Sequence, residues 1–167
     1  QQELTTKILD TGKPVVLVLN NGKPIVLGAT ASKLPAILTA HYAGQETGTA
    51  VAEILFGKTN PTAKLTITWP RTIGQIPAHY SQSGSSFVFD YLDTPRTPEY
   101  PFGHGLSFTS FEYSNVSLSQ PTIQRGQSVD VAFTLTNTGP RDGTEISQVY
   151  VSGEEFKLSL IHISEPT

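Results

Sequence analysis

The side chains of this chain that could do chemistry are carboxylates, histidines and aromatics. Its 167 residues include no cysteine, which removes disulfides, thiolate nucleophiles and cysteine-ligated zinc or iron–sulfur sites. Four histidines, His41, His79, His104 and His162, are scattered, and none falls in a spacing such as H-E-x-x-H, so no metal ligand is assigned. Glu46 is a carboxylate in a glycine-flanked turn, which invites a catalytic reading. A structural reading explains it better, because the helix dipole alone favours an acidic side chain in a first helical turn. His104 lies between two glycines that permit a tight backbone path, and it reads as a seam residue rather than a ligand. The densest group is Tyr80, Phe87, Phe89, Tyr91 and Leu92, carried by residues 71–99, a segment rich in Ser, Gly and Pro without clear periodicity. Loops this long are uncommon in compact domains and often serve as binding loops or lids. The structural alternative is that these aromatics, as large hydrophobes, pack the loop onto its own domain.

Composition narrows the partners. Hydrophobic residues at 37% and charged residues at 15% suit a globular chain and argue against disorder. A net charge of −3 with scattered Lys and Arg offers no field for nucleic acid or anionic lipid, so no nucleic-acid partner is expected. No apolar run reaches the length of a membrane span.

The elements that must position these residues are legible in outline. Residues 2–9 read as a helix end, with Leu4 and Ile8 four apart and Gly12 then Pro14 as the stop. Val15–Leu19 is a short β-branched run, as expected of a strand covered on both faces of a parallel sheet. A turn at Asn20–Gly22, an apolar piece at Pro24–Leu27 and a strand over Leu34–Ala40 follow. A helix is predicted from about Glu46 to Phe56, with Ala50, Val51, Ile54 and Leu55 on one face and Gly57 closing it. Leu65–Trp69 offers a further strand before Pro70. This order predicts an α/β layer with a largely parallel sheet.

From Phe111 the period changes to two. Val129, Val131, Phe133 and Leu135 alternate with more polar or smaller residues, as in a strand with one covered face. Ser114–Ser119 and Glu145–Val151 read as its neighbours, and Asn137–Gly139 as a turn. An immunoglobulin-like sandwich needs about seven strands. Only the first strands of such a domain are expected here, with an open inner face and unpaired edges.

Several blocks stand in order along the chain: KPVVLVLNNGKPIVL (13–27), AHYAGQETGTAVAEILFGKTNPTAKLTITWP (40–70), GQIPAHY (74–80), YLDTP (91–95), YPFGHGLSFTSFEYSN (100–115) and NTGPRDGTEISQVYV (137–151). Together they resemble the family 3 glycoside hydrolases, especially the bacterial β-glucosidase and β-xylosidase branch. The chain departs from the family at Ala43, where Pro is usual, and at His41, where an aromatic is common; both bear on local packing. The resemblance implies a (β/α)8 barrel, then an α/β sandwich, then a fibronectin type III-like domain. It places residues 1–110 in the C-terminal part of the α/β sandwich and 111–156 in a truncated fibronectin type III-like domain. The segment 157–167 is expected to be a non-native tail, because SLIHISEPT resembles translated read-through of a sequencing adapter.

The same resemblance implies what this chain lacks. Retaining glycosidases need two carboxyl groups about 5–5.5 Å apart. In the family the nucleophilic Asp belongs to the barrel and the acid/base Glu lies upstream of the region matched here, so no catalytic residue is assigned to this chain. The loop 79–99 resembles the family's loop at the mouth of the active site, which makes Tyr91 and Asp93 candidates for contacting the sugar beyond the cleaved bond. Aromatic rings stack on the CH-rich faces of sugars, and carboxylates accept their hydroxyls. For Asp93 the competing role is a turn residue bonding its own backbone before Thr94-Pro95.

The resemblance thus implies a fragment of a retaining exo-acting β-glycosidase, working in the periplasm or secreted, without a cofactor, on β-linked glycosides. The fragment alone is expected to be inactive without its barrel. The alternative is a non-catalytic carbohydrate-binding or structural module.

Overall fold

A computed structural model of the chain describes residues 2–80 and 92–151 and the backbone of Ser159–His162. Phe87, Phe89 and Tyr91 lie outside the described residues. The architecture is mixed α/β. Helix α1 (Gln2–Leu9) leads to strand β1 (Val16–Leu19), a 3₁₀ turn at Gly28–Lys33, strand β2 (Ala36–Thr39) and helix α2 (Thr47–Leu55). Strands β3 (Phe111–Leu118), β4 (Val131–Asn137), β5 (Gln148–Val151) and β6 (Ser159–His162) follow.

Strands β1 and β2 pair in parallel, in register from Val16 opposite Ala36 to Leu19 opposite Thr39. A parallel pair needs a crossover connection, and the 3₁₀ turn lies within it. The core gathers on one face of this pair. Leu27, Ala31 and Trp69 are buried, and Leu17, Leu19, Ile25, Ile37, Leu65 and Tyr100 pack around them. Strand alternation sends Val16 and Val18 to the opposite face, where both are exposed. The expectation of a strand covered on both faces is therefore corrected: among the described residues nothing covers the second face of β1.

The apolar piece Pro24–Leu27 descends into the core and ends at buried Leu27, whose backbone starts the 3₁₀ turn. One further expectation needs correction: Leu65–Trp69 is not a regular strand. It pairs with residues 99–104 as an irregular antiparallel ribbon, with the Leu65 N–H on the His104 carbonyl (2.8 Å), the Gly103 N–H on the Leu65 carbonyl (2.7 Å) and the Trp69 N–H on the Tyr100 carbonyl (2.8 Å). Trp69 and Tyr100 form an isolated bridge in it. The prolines at 70, 98 and 101 explain the irregularity, since each removes an N–H from the ladder.

Strands β3 and β4 form an antiparallel pair with a slip between Ser114 and Ser117. Three steps along β3 match two along β4, so β3 carries one extra residue, a β-bulge. Asn115 occupies it with φ of 53°, a left-handed conformation that Asn tolerates better than most residues. Tyr113 and Phe133 pack across the pair with centroids 5.4 Å apart. Strand β5 starts later than expected, at Gln148, and pairs antiparallel with β6 from Gln148 opposite His162 to Val151 opposite Ser159. Within the segment read as a tail, Ser159–His162 is extended: β5 offers an edge of unpaired backbone groups, and Leu160-Ile161 suits extended backbone.

The two halves meet in a polar seam. The Asn60 amide donates to the Asp142 carbonyl (3.0 Å) and accepts from the Phe108 N–H (2.8 Å) and the Ser107 hydroxyl (3.0 Å). Lys64 pairs with Glu145 at 3.0 Å, with both side chains about 15% exposed or less. Arg141 donates to the Gly57 carbonyl (2.7 Å) just past α2 and lies over the Phe108 ring. Glycine is required where the backbones press closest. A Cβ at Gly139 would sit 2.6 Å from the Ser110 nitrogen and clash with Thr109 Oγ1. A Cβ at Gly143 would lie 2.7 Å from Thr109 Cγ2 and 2.8 Å from Asn60 Nδ2.

Two glycine substitutions separate this close approach from mere backbone freedom. Gly143→Ala is expected to destabilise the chain by about 1–3 kcal/mol through overpacking. Gly48→Ala, inside α2 with nothing within 4 Å, is expected to be neutral or to stabilise by up to about 1 kcal/mol. Urea midpoints compare the two, and equal shifts would contradict a tightly packed seam.

Candidate functional site

The ribbon at Trp69 and Tyr100 is the base from which the long loop departs and to which it returns. Just beyond it stands a polar cluster built from the sequence RTIGQ (71–75) on one stem and PRTPE (95–99) on the other. Gln75 is buried at 8% exposure and uses both ends of its amide. Its oxygen accepts the Arg71 N–H (2.6 Å) and the Thr72 N–H (3.4 Å); its nitrogen donates to the carbonyls of Pro95 (2.9 Å) and Thr97 (3.3 Å). The Arg71 guanidinium donates to the Glu99 carboxylate (2.9 Å) and to the carbonyls of Pro98 (3.1 Å) and Thr97 (3.3 Å).

Sequence reasoning missed Arg71 and Gln75. The signal was available: Thr72-x-x-Gln75 has capping-box spacing, in which the fourth residue's side chain reaches back to the first N–H. Gln75 does so at the 3₁₀ turn Ile73–Gln75.

The sequence candidates separate in the structure. Asp93 is exposed, and among the described residues its carboxylate has no hydrogen bond or ion pair, so the local backbone bond of a turn aspartate is not made. It lies two residues before Pro95, hence next to the Gln75 cluster along the chain. Tyr91 lies outside the described residues. Tyr80 packs on Phe102 with centroids 4.6 Å apart, which is the packing role considered for the loop aromatics. His104 stacks on Tyr100 at 5.1 Å and gives its carbonyl to Leu65, as a residue of the seam. Glu46 is exposed at the N-cap of α2, where it accepts the Thr49 hydroxyl (3.2 Å). The helix dipole favours a carboxylate there.

Beside the ribbon, Gly22, Lys23, His41, Leu65, Thr66 and Trp69 help line a concavity of about 210 Å³ at the carboxyl end of β1. His41 has φ of 49°, and its Nδ1 lies 3.2 Å from the Asn21 carbonyl oxygen. Among the described residues no cluster of three His, Asp or Glu side chains could hold a metal. No helix among them is long and apolar enough to cross a membrane.

Desolvation raises the Tyr100 phenol above its ordinary value; the Glu99 carboxylate raises it further, and Arg71 partly opposes both.

With this geometry in hand, comparison with known proteins identifies the class. Residues 1–108 match the glycosyl hydrolase family 3 C-terminal domain. The chain belongs to glycosyl hydrolase family 3. It is 43% identical to a periplasmic β-glucosidase of Salmonella typhimurium, across 95% of this chain and 22% of that protein. It is 40% identical to a β-xylosidase of Formosa agariphila, across 90% of this chain and 21% of that protein. Among solved structures, a β-glucosidase of Erythrobacter marinus superposes with a TM-score of 0.84 at 40% identity, covering 89% of this chain and 20% of that one. A β-glucosidase of Listeria innocua in complex with glucose gives 0.84 at 34% identity, covering 99% of this chain and 24% of that one. The chain spans about a fifth of the length of the curated relatives it matches.

The raised phenol of Tyr100 gives a pH prediction with a definite sign. Folding favours the neutral form, so this stabilisation is full below the unfolded phenol value near 10 and is lost as pH rises through the higher folded value. In an ultraviolet titration, Tyr100→Phe is expected to remove absorbance change from the late part of the curve. Loss from the early part would contradict the desolvation.

Proposed function

We propose that this chain is the C-terminal-side part of a retaining, exo-acting β-glycosidase of β-glucosidase or β-xylosidase type. Its substrate would be a β-linked oligosaccharide or glycoside cleaved at the non-reducing end. The observation that carries this is the family match over residues 1–108, joined to relatives at 40% identity or more that are named β-glucosidase and β-xylosidase. On this reading residues 1–110 belong to an α/β sandwich, and 111–156 begin a fibronectin type III-like domain. The end of the family match at residue 108 supports that boundary, as does the change from a parallel to an antiparallel pair across the seam. The periplasmic relative supports a location in the periplasm or outside the cell.

The catalytic carboxylates would come from a (β/α)8 barrel and the segment joining it to this domain. Three described carboxylates are already committed: Glu53 to Lys58, Glu99 to Arg71 and Glu145 to Lys64. The chain's own contribution is recognition. Asp93 stands exposed, without a partner among the described residues, and would accept hydroxyls of the sugar on the leaving-group side. The resemblance puts Tyr91 beside it as a stacking ring.

The test has two parts. The 167-residue chain alone is expected to give no turnover of aryl β-glucosides or β-xylosides. A hybrid in which the chain replaces the matching span of the Salmonella typhimurium β-glucosidase is expected to turn over both aryl glucosides and β-linked disaccharides. In that hybrid Asp93→Ala should raise KM for the disaccharide about tenfold or more, the cost of losing a hydrogen bond to a charged group, and leave the aryl glucoside nearly unchanged. Turnover by the chain alone, abolished by mutating one of its own residues, would overturn the proposal.

A further inference from the structure

The segment PRTP (95–98) poses a problem that its backbone cannot solve alone. Pro95 and Pro98 have no N–H, so half of its residues cannot donate to any neighbouring strand. Carbonyls are then the main backbone handles by which the segment can be held. The structure supplies donors to the carbonyls of Pro95, Thr97 and Pro98 from side chains of the opposite stem. Gln75 takes the carbonyls of Pro95 and Thr97, and Arg71 takes those of Thr97 and Pro98.

The orientation of the Gln75 amide follows from its partners. Only the nitrogen can donate to carbonyls, and only the oxygen can accept the N–H groups of Arg71 and Thr72. Two acceptor sites and two donors are all engaged in a buried setting. No other side chain of this length does both: glutamate cannot donate, lysine cannot accept, leucine does neither, and asparagine is one methylene short.

We infer that Gln75 is a positioning residue for substrate: by anchoring the carbonyls of Pro95 and Thr97 to the 71–75 stem it fixes where Asp93, two residues upstream of Pro95, presents its carboxylate. This rests on the proposed contact of Asp93 with the leaving-group sugar. Gln75 touches no substrate itself. Its effect on recognition is indirect, and it falls on the sugar beyond the cleaved bond rather than on the bond.

The test uses the same hybrid enzyme, with a β-1,4-linked glucose disaccharide and an aryl β-glucoside as paired substrates. Gln75→Glu keeps the two acceptor bonds and loses both donor bonds. It is expected to raise KM for the disaccharide about tenfold, the loss of one well-placed hydrogen bond to a charged group. The kcat for both substrates and the aryl KM should stay within about twofold, because a displaced Asp93 leaves the reacting atoms untouched. Gln75→Glu combined with Asp93→Ala should be no worse than Asp93→Ala alone, since residues acting through one contact do not add. Where Gln75→Glu does not fold, Arg71→Lys carries the same test from the half-exposed side of the cluster, by losing the fork that holds Thr97 and Pro98. An unchanged disaccharide KM in the Gln75 variant, alongside a raised one in Asp93→Ala, would reduce Gln75 to a structural part and overturn the inference. Effects that multiply in the double variant would also overturn it. An unchanged KM in Asp93→Ala would instead sink the proposed sugar contact, and the inference with it.

Discussion

The amide of Asn60 holds three stretches of chain at once: it accepts from Ser107 and Phe108 and donates to the carbonyl of Asp142. The last two bonds span 48 and 82 residues, so one side chain fixes the end of the α/β half against the beginning of the β half. The Lys64–Glu145 pair beside it is largely withdrawn from water. Removing one partner of such a pair leaves an uncompensated charge, a larger penalty than the pair's own net contribution. Arg141 closes the far side by satisfying the carbonyl that follows α2, where a cation is favoured by the helix dipole. Residues 103–105 are held from both directions, by the 65–69 ribbon and by the Gln148 amide on the Gly103 carbonyl (3.2 Å). The ribbon in turn seats Trp69, and Trp69 is the base of the loop that carries Asp93.

This dependence runs from polar contacts to apolar core, the reverse of the usual order in a small domain. Among the described residues only Leu27, Ala31 and Trp69 are buried hydrophobics, while Phe56, Ile73, Leu92 and Leu106 are largely exposed. So few buried side chains contribute little of the transfer free energy that normally dominates folding. In the proposed enzyme some of that exposed apolar surface would lie against the barrel. The Gln75 amide at the loop base, by contrast, is satisfied within the chain, which suits the proposed presentation of recognition groups in a fixed place.

Sequence periodicity made α1, β1, β2, α2 and β4 legible to within a few residues. Each carries a strong local pattern, such as the apolar face of α2 or the alternation from Val129 to Leu135. The ribbon was not legible, because Leu65–Trp69 looks like a strand until the prolines opposite it are counted. The bulge at Asn115 was equally hidden, since a single extra residue leaves no mark on alternation until the partner strand is known. At the site, motif blocks pointed to the loop and to Asp93, yet passed over Gln75 and Arg71. Their importance arises from partners 20 or more residues away, Pro95, Thr97 and Glu99, which no local spacing displays.

The central claim is that the seam and the loop base are one cooperative unit, and native-state hydrogen exchange of Asn60→Ala in the full chain tests it most directly. The account predicts that amides on both sides lose protection together: Phe108, which bonds Asn60 itself, Leu65, Gly103 and Trp69 in the ribbon, and Thr138, which bonds the Ser110 carbonyl. Loss confined to Phe108, with the ribbon and Thr138 as protected as before, would contradict it.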